Sequence, residues 1–384
     1  MVGTARKGVE GEVGRSSRRH DLDALRVFAF GLLILYHVGM FYVAWPWHVK
    51  SPHAPVSAIE LPMRLMSSWR LPLLFLISGV ALRFALDKAR RSASPFTGRR
   101  ALRLGLPLLF GMCVIVPPQT YLELRQSGVI GPGVAEFYAG YIAPPGLGPS
   151  DWPMITPTWN HLWYLAYVLI YTLVWVGGTY LLGRFGTLST VAPPPQKTLA
   201  LAGLFVGIPA LLLALRALLA ESYGADQSVW GDWHNLVVSG LYFGLGAGVA
   251  KSAWFWDALK SRRVVMYGAA ALATIGVFIW PSGPVAEAVR VLHGWFVVLA
   301  CLCLAQEWVT AASPTLRYLS DAIFPVYVVH QTVIIVVGVA LAPLGLMLAV
   351  EATVVVAAAF LGSLAIYHLV VRRMGRAAWL LGGR

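Results

Sequence analysis

Residues 22–44 read Leu22-Asp-Ala-Leu-Arg-Val-Phe-Ala-Phe-Gly-Leu-Leu-Ile-Leu-Tyr-His-Val-Gly-Met-Phe-Tyr-Val-Ala44, and this stretch decides the fold class. A run of about twenty mostly apolar residues is long enough to cross a bilayer as a helix. It contains three ionisable residues, Asp23, Arg26 and His37, and such groups inside a membrane are costly and usually functional. Helical geometry places Arg26 and His37 within roughly 20° of each other and about 16 Å apart along the axis, with Asp23 one turn earlier. The stretch therefore predicts a spanning helix with one functional face.

The composition of the whole chain agrees with a membrane protein. Of its 384 residues, 58% are hydrophobic and only 12% are charged, and its mean hydropathy is +0.69. A soluble domain carries far more charge. The net charge of +13 does not indicate nucleic-acid binding, because the basic residues lie between apolar segments and form no stripe with interleaved aromatics. Cys113, Cys301 and Cys303 show neither a disulfide framework nor a metal-binding spacing, so we expect no metal.

Ten segments are apolar enough to be candidate spans. They are residues 22–44, 62–84, 101–121, 161–183, 198–220, 234–250, 264–280, 288–309, 322–342 and 347–370. The sixth is short and the seventh is marginal. Basic residues concentrate in the segments that would be cytoplasmic if both termini lie inside. We therefore predict an all-α integral membrane protein with about ten transmembrane helices and both termini in the cytoplasm.

The chain divides into one large membrane domain and two short ends. Residues 1–20 are predicted to be a flexible basic cytoplasmic tail rather than a secretory signal, because no small-residue cleavage site follows the first apolar run. Residues 21–372 form the membrane domain, and residues 373–384 a short basic cytoplasmic tail. The outer loops at 45–61 and 122–160 are long, and loops of this kind are candidates for binding and gating.

Glycines in the sixth predicted span indicate close helix packing. Gly240, Gly244 and Gly248 recur every four residues. Small residues at this spacing let neighbouring helices approach closely in a membrane. We interpret this repeat as structural.

His37 is the first candidate for chemistry. A lone histidine in a span can simply bond to a neighbouring helix, but its alignment with Arg26 and Asp23 favours a function. Neutral histidine can act as a general base or as a nucleophile. Arg26 taken alone could instead be a snorkelling anchor on the cytoplasmic side, and Asp23 its ion-pair partner.

Two arginines open the third predicted span. Arg100 and Arg103 are three residues apart and so share a helix face at the predicted cytoplasmic edge. Guanidinium groups suit phosphates, although basic residues at this position also set topology.

Other polar residues lie near or within later spans. His161 opens the fourth predicted span, followed by Trp163, and His330-Gln331 lie about halfway through the ninth. A buried histidine-glutamine pair must find partners, so it should face the bundle interior. Glu123, Asp232 and Glu351 lie near the predicted outer side. Each is a candidate acid or base, with a solvated or helix-capping charge as the simpler interpretation.

Five short motifs, in this order and spacing, resemble those of the acyltransferase-3 family of membrane proteins. They are Asp23-Ala-Leu-Arg26 followed by ten residues and His37, Phe75-Leu-Ile-Ser-Gly79, Arg100-Ala-Leu-Arg103, His161-Leu-Trp-Tyr-Leu165 and Val326-Tyr-Val-Val-His-Gln331. The resemblance extends over about residues 20–370. It is strongest to the glucan biosynthesis protein C branch, whose first span runs into a similar Trp/His/Lys loop, here Trp45 to Lys50.

The resemblance implies ten core spans and transfer of an acyl group, commonly acetyl or succinyl, from cytoplasmic acyl-CoA to an extracytoplasmic carbohydrate hydroxyl. It implies a bacterial inner-membrane location, with lipid, acyl-CoA and a glycan as partners. The expected catalytic residues are His37, Arg26 and Asp23. Arg100, Arg103 and Arg26 would bind the acyl-CoA, and His161, Trp163, His330 and Gln331 the substrate.

A transporter is the alternative from a different functional class. Arginine and histidine aligned along one helix would also suit a proton-coupled carrier or flippase of a small solute or glycan precursor. Against it, the two halves of the sequence lack the paired broken helices of many secondary transporters. An acyltransferase releases an esterified glycan and CoA, whereas a carrier relocates an unaltered solute.

Overall fold

A computed structural model describes residues 19–91, 96–143, 148–181, 197–219 and 229–383. Throughout these ranges the regular structure is helical, without a strand. The predicted all-α membrane fold is therefore confirmed. The predicted N-terminal tail lies outside the described residues up to residue 18, and the first helix begins at His20.

Fifteen α-helices follow one another along the described chain. They are α1 His20–Tyr42, α2 Glu60–Arg91, α3 Phe96–Phe110, α4 Pro117–Gln126, α5 Val134–Tyr141, α6 Trp163–Leu181, α7 Lys197–Ala202, α8 Ile208–Leu219, α9 Trp233–Val249, α10 Ala253–Ser261, α11 Arg263–Ile279, α12 Pro284–Trp308, α13 Pro314–Leu341, α14 Leu348–Ala357 and α15 Ser363–Leu369.

Within the described residues, eight continuous helical segments are long and apolar enough to cross a membrane. They are His20–Tyr42, Ser57–Ala89, Gly98–Gln126, Asn160–Leu181, Leu199–Leu219, Pro284–Trp308, Pro314–Leu344 and Leu348–Arg373. The pair α9 and α10 qualifies as a ninth only if it is counted as one span, since it bends by 102° between the two helices. The seventh predicted span is α11, whose 17 residues extend ~25 Å, less than a bilayer core of ~30 Å. The predicted cytoplasmic placement of both termini stays a prediction.

Three spans contain a widened π-helical turn, and two of these turns have an evident cause. Gly111–Ile115 directly precedes the proline-led helix α4, and Gly203–Gly207 lies just before Pro209. A proline has no N–H and its ring clashes with the carbonyl four residues earlier, so the preceding turn widens. The third, Ala358–Gly362, contains no proline. The first of these turns borders the site described below.

The long helix α2 packs most extensively against α9, and glycine permits this close contact. A Cβ atom on Gly246 would collide with the carbonyl oxygen of Leu76, and one on Gly79 with that of Phe243. The face of α9 that meets α2 thus carries Gly246, which the predicted stripe does not include. Within the predicted stripe, Gly240 packs closely, because a Cβ atom there would press against the Tyr171 ring of α6. Gly248 of the predicted stripe faces open space.

The last residues of the chain pack against its body. Gly375–Leu381 forms a short 3-10 helix in which Ala378 and Leu381 are buried. The predicted cytoplasmic location of residues 373–384 stays a prediction.

Candidate active site

A cavity of about 570 Å³ lies between α1, α2, α6 and α13. Its walls are completed by residues 46–48 and by residues 158–160, which belong to the two predicted long loops. His37 lies on the α1 wall and Arg70 on the α2 wall. The first predicted catalytic side chain thus faces an internal cavity rather than lipid.

His37 is held by a histidine from a distant helix. Its Nδ1 atom lies 2.8 Å from Nε2 of His330, in α13. The other ring nitrogen of His330 lies 2.7 Å from the carbonyl oxygen of Tyr327. A carbonyl only accepts, so His330 donates from Nδ1 and, when neutral, accepts at Nε2. Neutral His37 must then donate from Nδ1, which leaves the lone pair on its Nε2. This relay has the form of a general base oriented by a second group.

His161 lies beside the same pair but is bound differently. Its ring is 5.2 Å from that of His330, between centroids. Its Nε2 donates to the Val328 carbonyl oxygen at 3.0 Å. Its Nδ1 lies 3.4 Å from Nε2 of Gln119, which can donate to it. Both ring nitrogens of His161 are therefore committed to protein partners.

Gln119 connects three parts of the bundle beside the cavity. Its Oε1 accepts from Gln331 at 3.0 Å and from Asn160 at 3.2 Å. Its Nε2 donates to the Thr332 hydroxyl at 2.7 Å, and that hydroxyl donates to the Ile115 carbonyl oxygen at 2.7 Å. Ile115 ends the widened turn that precedes α4, where the ordinary helical bonding pattern is interrupted. The network fixes α4 against α13 and the start of α6.

The four predicted substrate-binding residues divide into two groups. His161, Trp163 and Gln331 line the cavity. His330 is fully buried and lies behind His37 as its hydrogen-bond partner. The substrate-binding roles stay predictions.

The predicted ion pair on α1 is present. Arg26 donates to Asp23 Oδ1 at 2.6 Å, as expected for residues three apart on a helix. The cavity wall on α1 begins at Leu33, seven residues or ~10 Å along the axis from Arg26. The pair therefore lies below the cavity.

Tyr164 lines the cavity and lies within electrostatic range of two arginines of the predicted donor site. Its hydroxyl bonds to Ser78 at 2.6 Å, and its ring lines the cavity. Both Arg26 and Arg100 interact electrostatically with this hydroxyl. Arg103 is exposed on the first turns of α3, whereas Arg100 is partly buried. The structure thus brings Arg26 and Arg100 to a common side chain.

Residues of the loop after α1 cover the cavity. The Trp47 ring stacks on that of His37 at 6.4 Å between centroids. His48 Nδ1 lies 2.6 Å from Glu123 Oε2. Lys50 donates to the carbonyl oxygens of Met40 and Val43, at 2.6 and 2.8 Å, and so caps the end of α1. Partial burial lowers the pKa of the Lys50 amine below its ordinary value.

The three candidate acids have three different environments. Asp232 accepts from the Asn235 backbone N–H at 3.0 Å and caps α9, as the simpler interpretation predicts. Glu123 pairs with His48 at the cavity wall. Glu351 is only 1% exposed and accepts from the Ser51 hydroxyl at 2.8 Å. The expectation of a solvated or capping charge is wrong for Glu351, because the loop after α1 folds over it.

Arg70 and Gln119 are the site residues that motif reasoning missed. Arg70 lies within the second predicted span, 62–84, so the rule that singled out Arg26 would also have identified it. Gln119 is uncharged and gives no such signal. The part of the chain that the structure describes holds no group of three His, Cys, Asp or Glu side chains placed to bind a metal. That no metal takes part stays a prediction.

Comparison with known proteins adds independent evidence. Glucans biosynthesis protein C of Escherichia coli, for example from strain SMS-3-5 / SECEC and from O1:K1 / APEC, is 27% identical to this chain over 168 residues. The alignment covers 42% of this chain and 39% of each relative. No solved structure matches significantly.

A family model described as an acyltransferase domain, that of the acyltransferase-3 family, matches residues 19–368. This range includes every motif residue from Asp23 to Gln331 and the whole wall of the cavity. Since the match covers nearly the entire chain, the protein belongs to the acyltransferase-3 family, and its spanning helices make it a multi-pass membrane protein.

Proposed function

We propose that this protein transfers an acyl group, acetyl or succinyl, from cytoplasmic acyl-CoA to a hydroxyl of an extracytoplasmic glycan. The observation that carries the proposal is the His330–His37 relay, which leaves a basic nitrogen on a side chain that lines a cavity. The relatives are named for glucan biosynthesis and come from a bacterium. They support a carbohydrate acceptor, and we place the protein in a bacterial inner membrane.

The donor enters from the end of α1 that carries Arg26. Arg100 and Arg103 bind the phosphates of CoA, since guanidinium groups match phosphate geometry. Arg26 is held in place by Asp23. The thin pantetheine arm then covers the ~10 Å of helix between Arg26 and the cavity, passing Tyr164, and presents the thioester beside His37.

The reaction is a direct acyl transfer. The acceptor hydroxyl oxygen attacks the thioester carbonyl carbon while His37 Nε2 takes the hydroxyl proton. The C–O bond forms, the C–S bond breaks, and the leaving thiolate takes the proton from His37 to give CoA thiol. His330 acts as a positioning residue, because its acceptor nitrogen holds His37 in the tautomer that can receive the proton.

The acceptor binds at the loop end of the cavity. Trp47 and Trp159 both line it there, and aromatic faces suit the apolar faces of sugar rings. Trp47 already stacks on His37, so a sugar seated against Trp47 would bring a hydroxyl near the base. His161, Trp163 and Gln331 complete this wall.

Product analysis tests the proposal against the carrier alternative. The full chain in lipid nanodiscs is incubated with radiolabelled acetyl-CoA or succinyl-CoA and a glucan oligosaccharide. We expect radiolabelled ester on the oligosaccharide and one CoA thiol released per ester. Both membrane faces are accessible in a nanodisc, so the acyl-CoA and the oligosaccharide can each reach the protein.

Vesicles containing the protein serve as the matching control. Movement of intact oligosaccharide across the vesicle membrane, with no ester formed from either donor in nanodiscs, would contradict the proposal and indicate a carrier.

A further inference from the structure

Arg70 is a buried cation on the cavity wall that protein groups do not neutralise. It is 2% exposed and lines the cavity together with His37. Its Nε and Nη1 atoms are buried without an acceptor among the described residues. The guanidinium carbon lies 4.2 Å above the Tyr36 ring centroid, a contact that fixes the plane of the group but accepts none of its N–H bonds.

The other charges at the cavity leave Arg70 unpaired. Among the described lining residues the one carboxylate is Glu123, and it bonds to His48 at 2.6 Å. A buried guanidinium without a carboxylate partner destabilises the folded protein. Replacing it by an uncharged side chain would remove this destabilising contribution. Its five N–H donors therefore point to an anion that is present only during function.

The reaction supplies such an anion next to His37. When the acceptor hydroxyl attacks the thioester, an electron pair of the carbonyl moves onto the carbonyl oxygen, and this oxyanion is bonded to the same carbon as the attacking oxygen. Arg70 and His37 line the same cavity, and the Arg70 guanidinium lies over the ring of Tyr36, the residue before His37 on α1, so the cation lies on the same side of the cavity as the attacking group. Its charge disfavours the imidazolium formed on His37, but the oxyanion forms in the same step and offsets that repulsion.

We propose that Arg70 stabilises the oxyanion of the tetrahedral intermediate and is a catalytic residue of the acyl transfer. The inference rests on the proposed function. No carboxylate of the site bonds to Arg70 before the reaction. Its N–H donors are therefore available in the ground state and bond to the negative charge that develops during the reaction. When the intermediate collapses, the C–S bond breaks, the carbonyl re-forms and Arg70 is released.

Two variants of Arg70, each assayed with three acyl-CoA donors, test the proposal. Arg70→Met keeps the length and removes the charge, and Arg70→Lys keeps the charge but loses the planar fork. Acetyl-CoA, butyryl-CoA and succinyl-CoA are compared in nanodiscs with a glucan oligosaccharide. We expect Arg70→Met to lower kcat roughly 100- to 1,000-fold with every donor that wild type uses, as for loss of one oxyanion donor. The KM for acyl-CoA should stay within about threefold, and Arg70→Lys should lose less.

Arg64→Met is the matched control, because Arg64 lies on the same helix but is exposed beside Glu60, and it should retain kcat. A loss confined to succinyl-CoA would overturn the proposal and assign Arg70 to recognition of the acyl carboxylate. An unchanged kcat, or a change in KM alone, would also overturn it. If the Arg70→Met protein does not insert into the membrane, the kcat of Arg70→Lys with the same three acyl-CoA donors is the deciding measurement. Failure of wild type to form any ester would instead refute the proposed function.

Discussion

The regions around His37 and His161 contrast although each contains a histidine next to His330. Both ring nitrogens of His161 meet protein groups, and Gln119 beside it meets partners at both ends of its amide. Around His37, one ring nitrogen remains for the cavity and Arg70 has buried donors without acceptors. Satisfied polar networks rigidify a core, whereas groups left unsatisfied by protein are free to act on a substrate. The region around His161 is the scaffold, and the region around His37 is where we place the chemistry.

Removing the base should have the largest effect. His37→Ala deletes the nitrogen that takes the proton, so we expect ester formation to fall roughly 1,000-fold. The measurement is initial rate per folded protein in nanodiscs. His368→Ala is the control, since His368 is exposed and bonds to Tyr318 away from the cavity. A His37→Ala rate near that of wild type would remove the distinction between the two regions.

Removing the orienting partner should have a smaller effect. His330→Phe keeps a ring but cannot accept from His37 Nδ1, so the useful tautomer is no longer favoured. We expect kcat to fall about 10- to 100-fold, with the KM for acyl-CoA nearly unchanged. Steady-state kinetics with acyl-CoA varied would show this split, and an unchanged kcat in a stable variant would refute the relay.

Substitutions in the predicted donor site should affect the KM for acyl-CoA more than kcat. Arg100→Ala combined with Arg103→Ala removes both phosphate ligands, so we expect the KM for acyl-CoA to rise about tenfold, as for loss of one or two charge-assisted bonds, with kcat changing less. Arg99→Ala tests whether position matters, because Arg99 is exposed in the same turn. An equal rise in KM for Arg99→Ala would indicate a general charge effect instead of a site.

A substitution in the scaffold should lower the stability of the protein more than its activity. Gln119→Leu leaves the Gln331 and Asn160 amides without their shared acceptor, and an unsatisfied buried group costs about 1–3 kcal/mol. We expect a lower Tm in nanodiscs and only a several-fold loss of rate in the folded fraction. If rate fell as far as in His37→Ala while Tm stayed constant, Gln119 would belong to the reactive region.

The fold and part of the site could be predicted because they depend on local patterns. Hydropathy identified the helices, and helical periodicity alone placed Arg26 against Asp23. The partner of His37 could not be predicted, since His330 lies 293 residues away in sequence and only the bundle packing brings them together. The role of Gln119 depends in the same way on contacts between α4, α6 and α13.

The central claim is that His37 moves a proton while the acyl group passes directly from thioester to hydroxyl. The most direct test is rapid mixing of the wild-type protein in nanodiscs with acyl-CoA in the absence of acceptor, followed by CoA thiol and the intact protein mass. We predict no stoichiometric burst of CoA thiol and no acylated protein until a glucan oligosaccharide is added. A burst of one CoA per protein, with the acyl mass on His37, would contradict the claim and make His37 an acyl carrier.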